Sequence, residues 1–293
     1  MGISKYPSAV SLPCVKKPYP RILDFLEQRF PKVDRMIWEQ RMREGKLLDS
    51  AGTPITCQTP YIPQQKLFYF REVADEAPIL LAEKILFQNS EILVACKPPF
   101  LPVTPSGPYV DECLLHRLKA ETSNPDLVPL HRIDRETSGL VLFSKNKKTR
   151  GRYAELFLHN RIEKSYEAVA ERSRPLEARL WVVENRLADA QPWFRMQAVE
   201  GEVNARSRIE LLACTDNLAH FKLYPITGKK HQLRVHMSGL GFPILNDRYY
   251  PELLPQQADD FANPLQLIAR RLQFVDPLSG KEMDFVSERK LLF

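Results

Sequence analysis

The sequence contains no long apolar run, no CxxC pair and no apolar leader, and each absence excludes a class of protein. No run approaches the roughly 18–20 apolar residues that cross a bilayer. The first twenty residues lack the apolar core of a secretory signal. The five cysteines are dispersed along 293 residues, which is typical of reduced thiols rather than of a disulfide framework. We therefore expect a cytoplasmic protein without a transmembrane helix.

Signatures of cofactors and metals are missing as well. The sequence has no GxxxxGK[ST] loop and no convincing GxGxxG motif. His231 and His236 stand five residues apart in a stretch with strand composition, so we expect them to point to opposite faces. With His131 they would make poor zinc ligands, and the cysteines offer no partner. The sequence therefore predicts neither a cofactor nor a metal.

What the sequence has is an uneven distribution of positive charge. Residues 1–71 hold 12 Lys and Arg against 6 Asp and Glu, whereas residues 72–293 hold 30 of each. The formal net charge of +6 is therefore concentrated in the first quarter of the chain. A basic lobe beside a neutral body favours a polyanionic partner, most simply a nucleic acid.

The basic region has the pattern of two short helices and a hairpin. "RILDFLEQRF" is a helix that Pro31 ends, and "DRMIWEQRMREGK" is a second helix with Asp34 at its start and Gly45 at its end. "LLDSAGTPI" is a turn, and "KLFYF" has strand composition. This arrangement resembles the alpha-L RNA-binding fold, although an ordinary helical cap on a larger domain has the same pattern. The resemblance implies four phosphate-facing residues: Arg35, Arg41, Arg43 and Lys46.

The rest of the chain alternates short β-rich runs with a few helical segments. The runs include "EILVACK", "SGLVLFSK", "SYEAVAE", "RSRIELLAC", "HFKLYPI", "HQLRVHM" and "LQFVDP", and the helical segments are "CLLHRLKAE" and "KKTRGRYAELFLHN". No βαβ rhythm is visible, so we expect an α+β fold with a mixed, largely antiparallel sheet. The predicted organisation is an N-terminal extension over 1–20, the RNA-binding module over 21–76 and a catalytic domain over 77–293.

Three motifs in this region occur in a specific order. They are "HRIDRETSG" at 131–139, "KSYEA" at 164–168 and "TGKKHQLRVHMSGLGFPILNDRYY" at 227–250. Together they resemble the RluA-type pseudouridine synthases, whose signature is an HR(L/I)DRxTSG loop, a KxYxA strand and a TGRxHQ(I/L)RVH segment. The resemblance extends over nearly all of residues 80–290, and it includes the Lys-Pro segment "ILVACKPPFLPVTP". It implies an enzyme that isomerises uridine to pseudouridine in RNA.

The resemblance also assigns three catalytic residues. Asp134 matches the catalytic aspartate, which either attacks the sugar or removes a sugar proton. Arg234 matches the basic residue that keeps this carboxylate ionised in a poorly hydrated pocket. Tyr166 matches a tyrosine whose ring stacks on the uracil and whose hydroxyl helps to remove the C5 proton, although a tyrosine at this place can also be a core strand residue.

Further residues are expected to contact the RNA. Arg132 is placed to fill the space that the extruded uridine leaves. In addition to the four residues of the basic module, the expected contacts are Arg135, Lys164, Lys229, Lys230 and His231. His131 is expected to be structural or adjacent to the RNA.

Four departures from the family pattern leave the substrate open. Pro99-Phe100 stand where small residues are common, Lys229-Lys230 replace an Arg-Ser/Thr pair, Asn246 stands where Gly is frequent, and Ile268 stands where many relatives have His. The attached module favours ribosomal RNA over transfer RNA by a small margin. We expect a monomer, because that is the usual state of the family.

Two other functions fit parts of the pattern. A non-catalytic RNA-binding or ribosome-assembly factor could keep the fold, but it would not need Asp134, Tyr166 and Arg234 together. A hydrolytic glycosidase would use Asp134 with a second carboxylate. Neither Glu136 nor Asp247 stands in a motif that assigns it this role.

Overall fold

The computed structural model describes residues 2–31, 33–73, 76–172 and 178–293. The chain divides into two compact units, one formed by residues 1–77 and 105–111, the other by residues 78–104 and 112–293. The predicted boundary lay between residues 76 and 77, and the predicted catalytic domain included residues 105–111, which group here with the first unit.

The N-terminal unit contains two helices and two small sheets. Its elements are β1 (Gly2–Ile3), β2 (Ser8–Ser11), α1 (Ile22–Arg29), α2 (Arg35–Arg43), β3 (Leu47–Leu48), β4 (Lys66–Tyr69) and β5 (Glu72–Val73). One sheet has the order β2-β4-β3, and β1 pairs with β5 in the other. The pairing of β2 with β4 places residues 8–11 of the predicted extension in the same sheet as the predicted hairpin.

Both predicted helices of this unit form, and the expected residues bound them. The Asp34 carboxylate accepts a hydrogen bond from the Met36 N–H at 2.7 Å, which caps the first turn of α2. Gly45 follows the helix with φ +66°, a conformation that costs glycine little. Apolar side chains of α1 pack with Trp38 and Met42 of α2 in one core.

Within the described ranges, the larger unit is built on a single sheet of eleven strands. Its strands are β6 (Lys84–Gln88), β7 (Ile92–Lys97), β8 (Val128–Pro129), β9 (Ser138–Ser144), β10 (Glu163–Glu171), β11 (Leu180–Asp189), β12 (Met196–Val199), β13 (Ala205–Cys214), β14 (Leu218–Pro225), β15 (Leu267–Val275) and β16 (Glu282–Val286). Its helices are α3 (Leu114–Thr122), α4 (Arg150–Leu158) and α5 (Gln232–Gly239).

The strand order is β12-β11-β13-β14-β10-β15-β9-β7-β6, with β16 beside β15 and β8 beside β9. All neighbours are antiparallel except β9 and β15, which run parallel. The predicted α+β class with a mixed, largely antiparallel sheet is confirmed.

One predicted strand is wrong. "HQLRVHM" alternates polar and apolar residues, yet residues 232–239 form helix α5. The alternation misleads because Gln232, Arg234 and His236 are buried as well as the apolar residues between them. Leu233 and Met237, four residues apart on one helical face, join the core over β10, β13 and β14. His231 and His236 are therefore not related by a strand geometry.

No helix within the described ranges is long and apolar enough to cross a membrane.

Candidate active site

The loop that carries Asp134 joins β8 to β9, and His131 fixes its beginning. The His131 Nε2 atom accepts a hydrogen bond from the Leu142 N–H at 3.0 Å, and the ring stacks on Phe157 at a centroid distance of 4.8 Å. Burial lowers the pKa of His131 to about 3, so the ring is neutral and can accept this bond. His131 is a structural residue of the loop.

Gly139 fixes the other end of the loop. It pairs with Ala269 where β9 and β15 run parallel, and its φ is +110°. A Cβ atom at this position would lie 2.3 Å from the Ala269 carbonyl oxygen. Only glycine fits this close backbone approach, which explains the residue at the end of the "TSG" motif.

Lys97 lies beneath the loop and was not among the predicted site residues. It is fully buried at the end of β7, and its Nζ donates to the Arg135 and Pro98 carbonyls at 2.9 and 2.8 Å. Burial lowers the pKa of Lys97 to about 7, while the Glu136 carboxylate works in the opposite direction. The available signal was a lysine that ends an otherwise apolar run, directly before two prolines.

Arg234 is brought to the loop by α5. Its side chain is only 1% exposed, and its Nη1 atom lies 3.6 Å from the Asp134 Oδ2 and 3.4 Å from the Glu136 Oε2. The structure therefore places the two residues together, as the motif resemblance implied. Arg234 also lies over the ring of Tyr249, at 4.7 Å from its centroid.

The closest partner of Arg234 is a different residue, Asp247. The Arg234 Nε and Nη2 atoms donate to the two carboxylate oxygens at 2.8 and 2.7 Å in a bidentate pair. Asp247 also accepts from the Tyr249 N–H at 2.9 Å and is 1% exposed. Asn246 just before it adopts φ +64°, a conformation that asparagine tolerates better than most residues. Asp247 orients Arg234. This role was not predicted, because the two residues stand 13 positions apart in the sequence.

Burial and the Arg234 charge act in opposite directions on the pKa of Asp134. Its side chain retains 24% exposure, so it is reachable from solvent. Burial raises the pKa of Asp134 above its ordinary value, the Arg234 guanidinium counteracts this, and the Asp247 charge adds to it. The net shift is upward because the effect of burial exceeds that of the Arg234 charge. Asp134 is thus a stronger base than an exposed aspartate.

Tyr166 lies in the centre of the sheet, on β10. It pairs with Ala269 of β15, which in turn pairs with Gly139 at the end of the Asp134 loop. Its side chain packs at the margin of the main core. Burial, and then the charge of Asp134, raise the pKa of the Tyr166 hydroxyl well above its usual value. The hydroxyl is therefore neutral and within the electrostatic influence of Asp134.

His231 belongs to the same site, rather than to an RNA-facing surface. It is buried at the start of α5, and its Nε2 atom lies 4.0 Å from the Asp134 Oδ1. Its Nδ1 hydrogen-bonds the Tyr250 hydroxyl at 2.9 Å. Burial, assisted by Arg234, lowers the pKa of His231 to about 3. A neutral ring cannot serve as a cation for phosphate. The described residues contain no group of three His, Cys, Asp or Glu arranged for a metal ion.

Comparison with known proteins identifies the family. A sequence model of RNA pseudouridylate synthases matches residues 91–239, a range that includes Asp134, Tyr166 and Arg234. The chain belongs to this family. It is an RluA-type RNA pseudouridine synthase, an isomerase that acts on RNA.

Two relatives and one solved structure illustrate the similarity. The dual-specificity RNA pseudouridine synthase RluA of Haemophilus influenzae is 31% identical over 212 residues, 69% of this chain and 90% of that protein. The tRNA pseudouridine synthase C of Haemophilus ducreyi is 32% identical over 209 residues, 66% of this chain and 85% of that protein. The structure of human RNA pseudouridylate synthase domain containing 4 has a TM-score of 0.55 and 27% identity, covering 71% of this chain and 88% of that one.

The predicted RNA contacts of the synthase unit differ in how accessible they are. Arg132 is exposed on the Asp134 loop. Arg135 forms a bidentate pair with Asp259 at 2.7 and 2.9 Å and lies 5.7 Å from the centroid of Phe100. Lys164 is half-buried, and burial lowers its pKa. Arg135 is therefore engaged within the protein, unlike Arg132.

Lys229 and Lys230 are both exposed, directly before His231. Because α5 starts at Gln232, the two lysines stand at the end of the helix that carries Arg234. Both lysines remain predicted contacts with RNA.

The four predicted RNA contacts of the N-terminal unit also differ in whether they are paired with acidic side chains. Arg35 is paired with Glu27 and Glu39 at 2.9 and 3.0 Å. Arg41 lies 3.6 Å from Glu72, and Lys46 also contacts Glu72. Arg43 is exposed and has no carboxylate within ion-pair distance among the residues that the structure describes. Three of the four are thus partly neutralised by neighbouring acids.

Proposed function

We propose that Asp134 starts the isomerisation, either by attacking C1′ of the target ribose or by removing a sugar proton. The observation that supports this most is its position: a reachable carboxylate beside a buried guanidinium that a second carboxylate holds in place. The raised pKa of Asp134 makes it a better base and a better nucleophile than an exposed aspartate.

In this proposal Arg234 keeps the Asp134 carboxylate able to ionise. Its bond to Asp247 fixes the guanidinium, and its Nη1 is directed towards Asp134 and Glu136. Arg234 therefore limits the rise in the pKa of Asp134, so that the carboxylate can ionise in a pocket from which RNA excludes water. Asp247 and Glu136 are engaged with arginines, which argues against a second carboxylate acting as in a glycosidase.

Tyr166 acts after the uracil has rejoined the sugar through C5. Its ring stacks on the base, and its hydroxyl takes part in removing the C5 proton. Because its pKa is raised, the hydroxyl is neutral, so it accepts the C5 proton while giving its own proton to a base, the Asp134 carboxylate whose charge acts on it.

The target uridine must leave its stack to reach Asp134, and Arg132 occupies the vacated space. Lys164, Lys229 and Lys230 hold the backbone, and Arg43 adds a contact from the basic unit. We propose ribosomal RNA as the first target to test, because a small basic helical unit accompanies the synthase unit. Transfer RNA is the second, because the Haemophilus ducreyi relative is named for it.

We further propose a monomeric cytoplasmic enzyme. The support is that one chain provides Asp134, Tyr166 and Arg234, and that its five cysteines are free thiols.

The test combines mapping with one substitution. Pseudouridines are mapped in ribosomal and transfer RNA from cells with the gene, without it, and with Asp134→Asn. We expect sites that require the gene and that Asp134→Asn does not restore. Arg234 keeps its bonds to Asp247, so the variant should fold and bind RNA. Asp216→Asn, an exposed acid on the β13–β14 turn, is the matched control and should restore every site. A folded Asp134→Asn protein that makes pseudouridine would overturn the mechanism.

A further inference from the structure

An exposed tryptophan stands beside the active site, in a segment that none of the three motifs includes. Trp193 lies between β11 and β12, and 63% of its surface is exposed. The Lys230 Nζ atom lies 5.6 Å from the centroid of its ring and donates to its carbonyl oxygen at 3.3 Å. Most of the indole surface is open to solvent, and the adjacent ammonium makes this surface cationic as well as aromatic.

Two routes connect this surface to the reacting carboxylate. Lys230 directly precedes His231, whose Nε2 is 4.0 Å from Asp134. In addition, Trp193 contacts Phe194, with ring centroids 6.1 Å apart, and Phe194 contacts Tyr249 at 5.4 Å. The Tyr249 ring lies under the Arg234 guanidinium. Trp193 is therefore linked by successive ring contacts to the guanidinium beside Asp134.

We propose that Trp193 and Lys230 form a stacking platform for an unpaired base next to the target uridine. This rests on the proposed function, since it assumes that the uridine is bound at Asp134. An aromatic ring offers a stacking surface to any base, and the Lys229 and Lys230 ammonium groups contact the phosphates on either side. Nucleic acid fits this combination better than a protein partner, because an apolar ring between exposed lysines matches a polyanion with flat bases. The platform makes Trp193 a residue that selects RNA in which the neighbour of the target is unstacked.

The test measures binding of a fluorescein-labelled oligouridylate and of an abasic oligomer of the same length. Trp193→Ala should weaken oligouridylate binding by about 5- to 150-fold, the range that corresponds to loss of one stacked base. Trp193→Phe should recover most of the loss. The abasic oligomer has no base to stack, so Trp193→Ala should change its affinity little. Val182→Ala is the matched control, because Val182 on β11 is also 63% exposed and should leave both affinities unchanged.

A second readout separates this proposal from the catalytic one. On RNA from cells without the gene, Trp193→Ala should raise KM and leave kcat nearly unchanged, since the ring does not touch the reacting atoms. An equal loss of affinity for both oligomers would show that the ring only supports Lys230, and would overturn the platform. If the binding results hold while Asp134→Asn stays active, the platform stands and the mechanism falls.

Discussion

Arg35 in the N-terminal unit and Arg234 in the synthase unit each contact three carboxylates. Arg35 reaches Asp24, Glu27 and Glu39, at 3.8, 2.9 and 3.0 Å, with 38% of its side chain exposed. Arg234 reaches Asp134, Glu136 and Asp247 with 1% exposed. Water screens the first cluster, so each of its contacts adds little to stability. In the second cluster the charges are desolvated, and the charges of Arg234 and Asp247 act in opposite directions on the pKa of Asp134. An arginine with three carboxylates is thus a solvated surface cluster in the N-terminal unit and a desolvated cluster around Asp134 in the synthase unit.

The comparison is tested most strongly by removing one carboxylate from each cluster. Asp247→Asn leaves a buried guanidinium without its bidentate partner, and we expect a loss of about 3–5 kcal/mol in the free energy of unfolding. Pseudouridine formation should fall as well, because Arg234 is no longer held towards Asp134. Glu27→Gln should leave the melting temperature and activity unchanged. Denaturant unfolding and turnover measure both. Similar destabilisation by the two substitutions would remove the distinction.

Tyr166→Phe separates packing from chemistry within the buried site. The ring remains, so RNA affinity and melting temperature should hold, whereas loss of the hydroxyl should slow turnover by about 10²-fold or more. Single-turnover kinetics with saturating enzyme measure the step directly. Tyr153→Phe is a control of the same type, because the Tyr153 hydroxyl is bonded to Asp276 at 2.7 Å in the core. Turnover at the wild-type rate in Tyr166→Phe would confine Tyr166 to the core.

Acid should destabilise the synthase unit through its buried histidines. The folded state keeps His131 neutral with a pKa of about 3, against about 6.5 in an unfolded chain. The unfolded chain then binds more protons, so stability falls as pH decreases from 6.5 towards 3, by about 1.4 kcal/mol per pH unit for this group.

His131→Gln should remove that part of the slope, because glutamine can accept the Leu142 N–H without titrating. Urea unfolding at pH 7 and pH 5 measures the difference between the two proteins. An identical slope in His131→Gln and wild type would contradict the neutral, buried state of this ring.

The smallest expected effect concerns the cations of the N-terminal unit. Arg43→Gln should weaken RNA binding and reduce the slope of log K against log salt by about 1, as expected for one phosphate contact. Arg35→Gln should change that slope less, because its charge is already shared with acids. Titrations of one RNA at several salt concentrations compare the two. A larger effect from Arg35→Gln would mean that RNA displaces its carboxylate partners.

Much of this arrangement was predictable from local pattern. The helices α1 and α2 begin and end where Asp34, Pro31 and Gly45 predicted, since capping depends on neighbours in sequence. The approach of Arg234 to Asp134 followed from the motif resemblance. The helix at 232–239 was not predictable from alternation, because its polar residues are buried too. Nor were the roles of Asp247 and Lys97, because Asp247 meets Arg234, and Lys97 meets the Arg135 carbonyl, only when the chain folds.

The contact between Gly139 and Ala269 has a consequence for how such an enzyme can be changed. There the backbone of one strand occupies the space in which the other would carry a side chain. The Asp134 loop is therefore held by a backbone contact that leaves no room for a side chain at residue 139. Any redesign of this protein must keep that contact. Trp193 and the lysines before α5 lie outside it, where a substitution changes an exposed surface and leaves this backbone contact undisturbed. Substitutions that change the RNA target therefore belong at these exposed positions, whereas the backbone contact that holds the Asp134 loop has to be kept.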